Sequence, residues 1–176
     1  MRKHLIRLAI VACSLVTGAL MGSAALHAAE KAKAVIKLVD GKEVGTVELL
    51  EIPAGVLLTA KFKGLPAGTH AIHIHAVGKC EPPFRSAGGH FNPEKTKHGL
   101  MAEEGLHSGD MPNIHVAENG TSTVEIWNPM VNLFPEEEGS LRDSDGSAIV
   151  IHQRPDDYKT DPAGAAGARI ACGVIK

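Results

Sequence analysis

Short runs of apolar and β-branched residues, separated by turn residues, recur from residue 34 to the C-terminus. In the run 56–62, the apolar residues Leu58, Ala60 and Phe62 alternate with polar ones, so one face of a strand would meet a core and the other solvent. No segment has the sustained periodicity of an amphipathic helix. Eight such runs predict eight short strands of an all-β, antiparallel sandwich or barrel. They lie at 34–39, 44–50, 56–62, 70–77, 113–117, 121–127, 147–151 and 169–175.

Two segments between the predicted strands, 77–112 and 153–168, are too long to be simple connections. The early strands are instead separated by short turn signals, such as Asp40-Gly41. Long ordered loops on a β scaffold tend to carry function. We therefore expect two functional loops.

The N-terminal residues 1–29 have the pattern of a secretory signal peptide. Three basic residues, Arg2, Lys3 and Arg7, precede an apolar run to about residue 26, and alanines follow at plausible cleavage points. The pattern predicts export, to the periplasm, of a mature domain formed by residues 30–176. Two alternatives stay open: the run could anchor the chain in a membrane, or Cys13 could be a lipidation site.

Charge and cysteine content refine this interpretation. Leaving out the three basic residues of the leader lowers the Lys and Arg count from 18 to 15, against 20 acidic residues, so the mature net charge is near −5. A chain this acidic is not expected to bind nucleic acid. Only Cys80 and Cys172 remain, and two cysteines in an exported chain favour one disulfide over two free thiols.

Histidines are concentrated in one stretch. Six of the ten lie between residues 70 and 110, and the series closes with Asp110. Imidazole nitrogens are common ligands of zinc and copper, and a carboxylate also suits zinc. His73 and His75 alternate with Ile74 on a predicted strand, so both point to one face. This stretch predicts a metal site.

The number of candidate ligands indicates two metals. Seven residues qualify: His73, His75, His90, His98, His107, Asp110 and His152. Two four-coordinate metals need about eight ligand positions, and one imidazole that bridges both metals would resolve the difference. The spacing alone does not say which histidine bridges.

Several segments are similar to the signature sequences of the bacterial, exported copper/zinc superoxide dismutases. These segments are GTHAIHIH, CEPP, SAGGHFNP, KHG, HSGDMPN, IVIHQRPDD and GARIACGVI, in the family's order from about residue 32 to the last residue. The resemblance implies an eight-stranded Greek-key β-sandwich or barrel, immunoglobulin-like in architecture, with copper and zinc as cofactors. It also implies dismutation of superoxide to oxygen and hydrogen peroxide, protecting the cell envelope.

The resemblance also implies a role for each candidate residue. The implied copper ligands are His73, His75, His90 and His152. The implied zinc ligands are His90, which would be the bridge, with His98, His107 and Asp110. Arg169 would guide and bind superoxide, His90 would also donate a proton, and Asp156 would hydrogen-bond ligands of both metals. Cys80 and Cys172 fall on the family disulfide, and His70 on a structural histidine.

Other interpretations are less well supported by the residues. A copper-binding or copper-storing protein of this fold would be expected to lack a copper ligand or the arginine, and neither is missing. A zinc hydrolase is disfavoured because the chain has no H-E-x-x-H motif. The substrate-guiding lysines of the family cannot be located, since Lys159 is the only lysine in the 153–168 loop. A homodimer is possible, but the sequence does not distinguish it from a monomer.

Overall fold

The computed structural model of the protein describes residues 29–176, so all but the last residue of the predicted leader, including Cys13, lies outside the described residues. Within them, no helix has the length and apolar character needed to cross a membrane. A 3-10 turn at Arg85–Ala87 is the one helical element of this part of the chain. Its strands are β1 Lys31–Leu38, β2 Glu43–Ile52, β3 Gly55–Lys63, β4 Gly68–His70, β5 Ile72–His75, β6 Ile114–Val116, β7 Thr121–Asn128, β8 Ala148–His152 and β9 Arg169–Val174.

The strands form a curled antiparallel barrel. Seven pair in the order β5-β8-β9-β1-β2-β3-β7, and β4 pairs with β6. A hairpin joins β6 to β7, with Ala117 N donating to Thr121 O at 2.9 Å. Because the connections from β3 to β4 and from β7 to β8 cross the barrel, the topology is of the Greek-key kind. The predicted all-β, antiparallel fold is confirmed.

One predicted strand, 70–77, is divided in two. The segment before Ala71 pairs with β6 and the segment after it pairs with β8. Ala71 itself donates to Arg154 O and accepts from His152 N, both at 2.9 Å, which marks the change of partner. Residues 70–75 are all buried, so their burial does not alternate at the change. The eight predicted strands are therefore present as nine segments.

Burial differs between two parts of the large sheet. In β1 and β3 buried and more exposed residues alternate, so one face packs on the core and the other faces solvent. Every residue of β5 and β8 is buried. Their second face must therefore be covered, and the loops 76–113 and 153–168 run there. The two long loops thus lie against the histidine-bearing strands.

The predicted disulfide is present. Cys80 and Cys172 are bonded, with their Cα atoms 5.7 Å apart. The bond joins the start of the first long loop to β9, across 92 residues. Closing a loop of this length restricts the unfolded chain and stabilises the fold by about 4–5 kcal/mol on the chain-entropy account.

Candidate metal centre

The centre is built outward from β5. His73 and His75 are both fully buried on its outer face, while Ile74 packs into the core on the other side. β8 pairs with β5 antiparallel and ends at His152, whose ring lies 5.0 Å from the ring of His73 and 5.7 Å from that of His75. The strand register therefore brings together three histidines that are up to 79 residues apart in the sequence.

The loop 76–113 is fixed to β5 by backbone hydrogen bonds on both sides of Ile74. Ile74 N donates to Gly109 O at 2.9 Å, and Phe91 N donates to Ile74 O at 2.8 Å. Gly109 is required for this approach, because a Cβ atom there would lie 2.3 Å from Ile74 O. The neighbours of these loop residues, His90 and Asp110, are thereby held directly against the strand.

The structure brings the predicted copper ligands together. Their candidate ligand atoms lie within 4.8 Å of one another, and all four residues are buried. Among the buried side-chain atoms of residues 29–176, only five lack a hydrogen-bond partner. Four are the ring nitrogens of this cluster, and the fifth is Ser147 Oγ. The nitrogens are His73 Nδ1, His75 Nε2, His90 Nε2 and His152 Nε2.

The opposite nitrogen of each ring has an acceptor. His75 Nδ1 donates to Gly88 O at 3.0 Å, and His152 Nδ1 to Gly167 O at 3.4 Å. His73 Nε2 donates to Asp156 at 2.8 Å, and His90 Nδ1 lies 2.7 Å from Asp110. A neutral imidazole has one N–H, so an acceptor on one nitrogen leaves a bare lone pair on the other. The four unpartnered nitrogens are therefore bare and point into the cluster.

The predicted zinc ligands form a second buried cluster, which shares His90 with the first. Asp110 Oδ1 is its centre, lying 2.7 Å from His90 Nδ1, 3.1 Å from His98 Nδ1 and 3.3 Å from His107 Nδ1. The second oxygen of Asp110 accepts from the backbone N–H groups of Gly99 and His107. Three nitrogens and one carboxylate oxygen thus converge, and His90 turns one ring nitrogen toward each cluster.

Asp156 connects the two clusters from the other side. Its two carboxylate oxygens accept from His73 Nε2 at 2.8 Å and from His98 Nε2 at 3.0 Å. These three residues form a third close group of potential ligands. Because the carboxylate is occupied by two N–H donors, its role in this geometry is to orient both rings rather than to bind an ion.

The two clusters differ in proton affinity. Burial lowers the pKa of His90 to about 4, although the hydrogen bond to Asp110 opposes this. Burial and the nearby His73 lower the pKa of His152 to about 3. Burial also lowers the pKa of His75 well below its usual value. These three imidazoles are therefore neutral at pH 7, as a metal ligand must be.

The opposite holds at the second cluster. Burial alone would lower the pKa of His98, but hydrogen bonds to Asp110 and Asp156 outweigh it and raise that pKa to about 9. Burial would raise the pKa of Asp110, but hydrogen bonds from His90 and His98 outweigh it and hold the pKa well below its usual range. Without a metal, His98 is therefore protonated at pH 7 between two carboxylates.

Arg169 is held at the mouth of the centre. Its Nη1 and Nη2 atoms each donate at 2.6 Å, to Phe84 O and Gly88 O. It lines an open pocket of about 280 Å³ together with His90 and His107. Burial lowers the pKa of Arg169, and so does the positive charge of Arg85, an exposed residue of the 3-10 turn between the two carbonyls. One guanidinium group therefore lines this opening, and a second lies close enough to affect it.

Several supporting residues were not identified from the sequence. Asn113 and Asp156 form a reciprocal pair, in which Asn113 Nδ2 donates to Asp156 O and Asp156 N donates to Asn113 Oδ1. Tyr158 N donates to the Asp156 carboxylate, and Asp161 accepts from the backbone of His98. No short motif links Asn113 with residues more than forty positions away, so only the folded chain reveals these contacts.

Two further histidines, His70 and His115, lie apart from the clusters. Both ring nitrogens of His70 contact backbone carbonyls, those of His152 at 2.8 Å and Pro66 at 3.0 Å. His70 thus ties the end of β8 to the turn before β4. His115 is exposed on β6, where its ring lies 3.4 Å from the hydroxyl of Thr69 and its backbone carbonyl accepts from Ser122 Oγ. These contacts agree with a structural role for His70 and an ordinary surface position for His115.

Comparison with known proteins gives consistent matches. A sequence model of copper/zinc superoxide dismutase (SODC) matches residues 43–175. Cu-Zn superoxide dismutase 2 of Aquifex aeolicus is 49% identical over 167 residues, covering 91% of this chain and 98% of the relative. The Caulobacter vibrioides Cu-Zn superoxide dismutase is 50% identical over 148 residues, covering 82% and 85%. The crystal structure of a double mutant of a SOD-like protein from Bacillus subtilis superposes with a TM-score of 0.78 at 39% identity, covering 81% and 95%.

Proposed function

Because the chain belongs to the copper/zinc superoxide dismutase family, we propose that copper binds at the four bare nitrogens of His73, His75, His90 and His152. The chain is an oxidoreductase that converts superoxide into oxygen and hydrogen peroxide, with copper and zinc as its cofactors. The observation that carries the copper assignment is the convergence of four buried nitrogens without hydrogen-bond partners. Unpaired buried acceptors are costly, and a metal ion would satisfy all four.

Zinc is assigned to the second cluster, with His90, His98, His107 and Asp110 as its ligands. Three imidazole nitrogens and one carboxylate oxygen suit tetrahedral zinc. His90 would serve both metals, because its Nε2 belongs to the first cluster and its Nδ1 to the second, and seven residues would then fill eight positions. Asp156 acts as the positioning residue for one ring of each site, since it holds His73 and His98 through the nitrogens that face away from the metals.

The overall reaction consumes two superoxide ions and two protons and yields one molecule each of oxygen and hydrogen peroxide. Copper held by these residues would supply the one-electron oxidation and reduction that couple the two superoxide ions. His90 is the residue we assign to hold a proton at Nε2 and deliver it to the second superoxide. Its Nδ1 stays among the zinc ligands, so the ring keeps its orientation while Nε2 exchanges a proton.

Arg169 is the residue we assign to substrate binding. Its guanidinium is fixed by two carbonyls beside the pocket that His90 lines. A positive charge therefore lies at the place where the anionic substrate would bind. Arg85 is a second, exposed positive charge whose field reaches Arg169. Local charge of this kind can focus an anionic substrate onto a cleft even when the protein as a whole is acidic.

The site of action is proposed to be the periplasm. Residues 1–29 would be removed as a signal peptide, and residues 30–176 would form the mature domain that protects the cell envelope from superoxide. The disulfide Cys80–Cys172 supports export, because such bonds persist mainly in oxidising compartments. Expression of the full chain, followed by cell fractionation and N-terminal sequencing, tests this. An uncleaved N-terminus in the cytoplasmic fraction would contradict it.

A copper-binding protein without turnover is the alternative to the proposed site. The deciding experiment measures copper and zinc per chain and then superoxide turnover by pulse radiolysis or by inhibition of cytochrome reduction. We expect activity that rises with copper occupancy and exceeds that of free copper at equal concentration. If the copper-loaded protein is no faster than free copper, the carrier interpretation replaces the enzyme.

A further inference from the structure

A groove of about 690 Å³ lies where β1 and β9 meet the loop between Gly78 and Phe84. This volume is within the range of small-ligand clefts. The floor of the groove is apolar, because Val35 and Val174 line it, and Val35 is 38% exposed. Its wall includes the disulfide. None of the residues that line the groove is a proposed metal ligand, so it is a concave surface separate from the two clusters.

The strand register fixes the order of side chains along the floor. Lys33 N donates to Lys176 O at 2.8 Å and Lys176 N donates to Lys33 O at 3.0 Å, so these two lysines lie directly opposite each other with their side chains on one face. The same register places Val35 opposite Val174, and then Lys37 beside the disulfide. From Lys33 to Lys37 the floor is about 13 Å long. It therefore has a pair of cations at one end and an apolar centre.

The groove is positively charged, although residues 30–176 together have a net charge near −5. Its charged lining residues are Lys33, Lys37, Lys79, Lys176 and Glu81. Lys33 and Lys79 form only loose pairs, at 3.9 Å with Glu48 and 3.4 Å with Glu81, and all four side chains are more than half exposed, so these pairs contribute little. Like charges directly opposite each other on a sheet are destabilising. An anion between Lys33 and Lys176 would remove that repulsion.

We propose that this groove binds a lipid with a single acyl chain and a phosphate headgroup. The phosphate lies between the ammonium groups of Lys33 and Lys176, which act as paired positive charges. The acyl chain runs over Val35 and Val174 toward the disulfide, where its burial removes apolar surface from water on both sides. At the far end, the aliphatic stem of Lys37 covers the chain while its charge stays in solvent.

Two features of the groove favour this ligand over an acidic peptide or a bilayer. Both floor strands have a hydrogen-bonded neighbour on each side, β9 lying between β8 and β1, and β1 between β9 and β2. The floor therefore offers no free strand edge to the backbone of a peptide, whose polar groups would need partners, whereas an acyl chain needs none. The groove is also concave, so the surface of a bilayer would leave its apolar floor unfilled.

The first test titrates lauryl phosphate, below its critical micelle concentration, into the metal-loaded protein by calorimetry. We expect one molecule to bind per chain, with a dissociation constant on the order of 0.1 mM for a ligand of this size. Inorganic phosphate and an uncharged detergent with the same chain should each bind about tenfold more weakly or worse, because each lacks one half of the contacts. Absence of saturable binding overturns the proposal. Equal binding of inorganic phosphate, or binding of anionic vesicles alone, overturns it as well.

The second test places the ligand within the groove. The double variant Lys33→Gln/Lys176→Gln should raise the dissociation constant about tenfold or more, since it removes both charges from the headgroup site. Its matched control is Lys61→Gln/Lys63→Gln, which changes the net charge equally at two exposed positions of β3 outside the groove. The control should bind as the wild type does. Equal weakening in the two double variants would show unspecific charge attraction and refute the proposed site.

The third test uses the disulfide in the wall of the groove. A bound acyl chain covers Cys80 and Cys172, so saturating lauryl phosphate should slow reduction of the bond by dithiothreitol, and should not do so in Lys33→Gln/Lys176→Gln. Dismutase activity should stay unchanged, because no residue that lines the groove also lines the pocket beside Arg169. Reduction at the same rate with and without bound lipid would mean that the lipid binds elsewhere, and the proposal would be wrong.

Discussion

The two halves of the metal centre are assembled by different means. In the copper half, His73, His75 and His152 come from paired strands, and their positions follow from register. In the zinc half, all four ligands come from the loop 76–113, and they are held by hydrogen bonds to one another and to Asp156. The copper nitrogens have no partners, whereas the zinc ligands satisfy each other.

Because of this difference, the two halves have different protonation and hydrogen bonding when no metal is bound. The copper half is a rigid arrangement of neutral imidazoles with unused lone pairs, at a cost on the order of 1–3 kcal/mol for each unpaired buried group. The zinc half is closed by a proton on His98, which lies between two carboxylates. The first half can therefore bind a metal without losing a proton, whereas the second must release a proton before it binds one.

Removal of a strand-borne ligand should have the largest effect. We expect His152→Ala to fold, to keep its zinc, to bind copper weakly and to lose dismutase activity by more than about 100-fold, because even supporting residues of a metal site cost 10–100-fold. Metal content per chain and a cytochrome-reduction assay measure this. His115→Ala, which changes an exposed histidine, is the control. Near-normal turnover in metal-quantified His152→Ala would contradict the copper assignment.

Asp156→Asn removes a carboxylate that contacts one ligand of each half, His73 and His98. An amide can accept one N–H as a carboxylate does, but its NH₂ group cannot accept the other, so one ring loses its orientation. We expect zinc affinity to fall about 10–100-fold, with a smaller loss at copper, whose other ligands are fixed by strands and carbonyls. Competition with a chelator measures both affinities. Asp157→Asn, an exposed neighbour, should change neither, and equal losses at the two metals would refute the comparison.

Arg169→Glu tests whether the copper half depends on charge at its opening. We expect turnover to fall about tenfold or more with metal content unchanged, because steering raises association rates by 10–1,000-fold. Wild-type activity should also fall with rising ionic strength, since exposed charges are screened over about 10 Å at 0.1 M salt. Arg85→Glu should give the same trend with a smaller loss, as Arg85 is fully at the surface. Equal rates of wild type and Arg169→Glu at low salt would exclude this role.

The smallest expected effect is a difference in proton release. Between pH 7 and 8 the metal-free chain should release about one proton when zinc binds, because the pKa of His98 is raised to about 9 and its proton must leave. Copper binding should release almost no protons from His90 or His152, since the pKa of His90 is lowered to about 4 and that of His152 to about 3. Calorimetry in buffers of different ionisation enthalpy measures both. If zinc and copper binding released equal numbers of protons, the proposed difference between the two halves would be wrong.

The sequence predicted the strands well because alternation reports directly on which face is buried. It did not reveal the change of partner at Ala71, since residues 70–75 are buried on both faces and show no alternation. The ligand residues were recognisable because histidine clusters and glycine-rich motifs are local. The contacts of Asn113 and Arg85 were not, because they depend on which distant segments the fold brings together.

One carbonyl oxygen, that of Gly88, accepts hydrogen bonds from both His75 Nδ1 and Arg169 Nη2. The same atom therefore positions the ring of a proposed copper ligand and the guanidinium that we assign to substrate binding. If thermal motion displaces this part of the loop, both groups move in the same direction. The distance between the ring and the guanidinium therefore changes little. An incoming superoxide encounters this distance, and Gly88 helps to keep it constant together with the second hydrogen bond of Arg169, to Phe84 O.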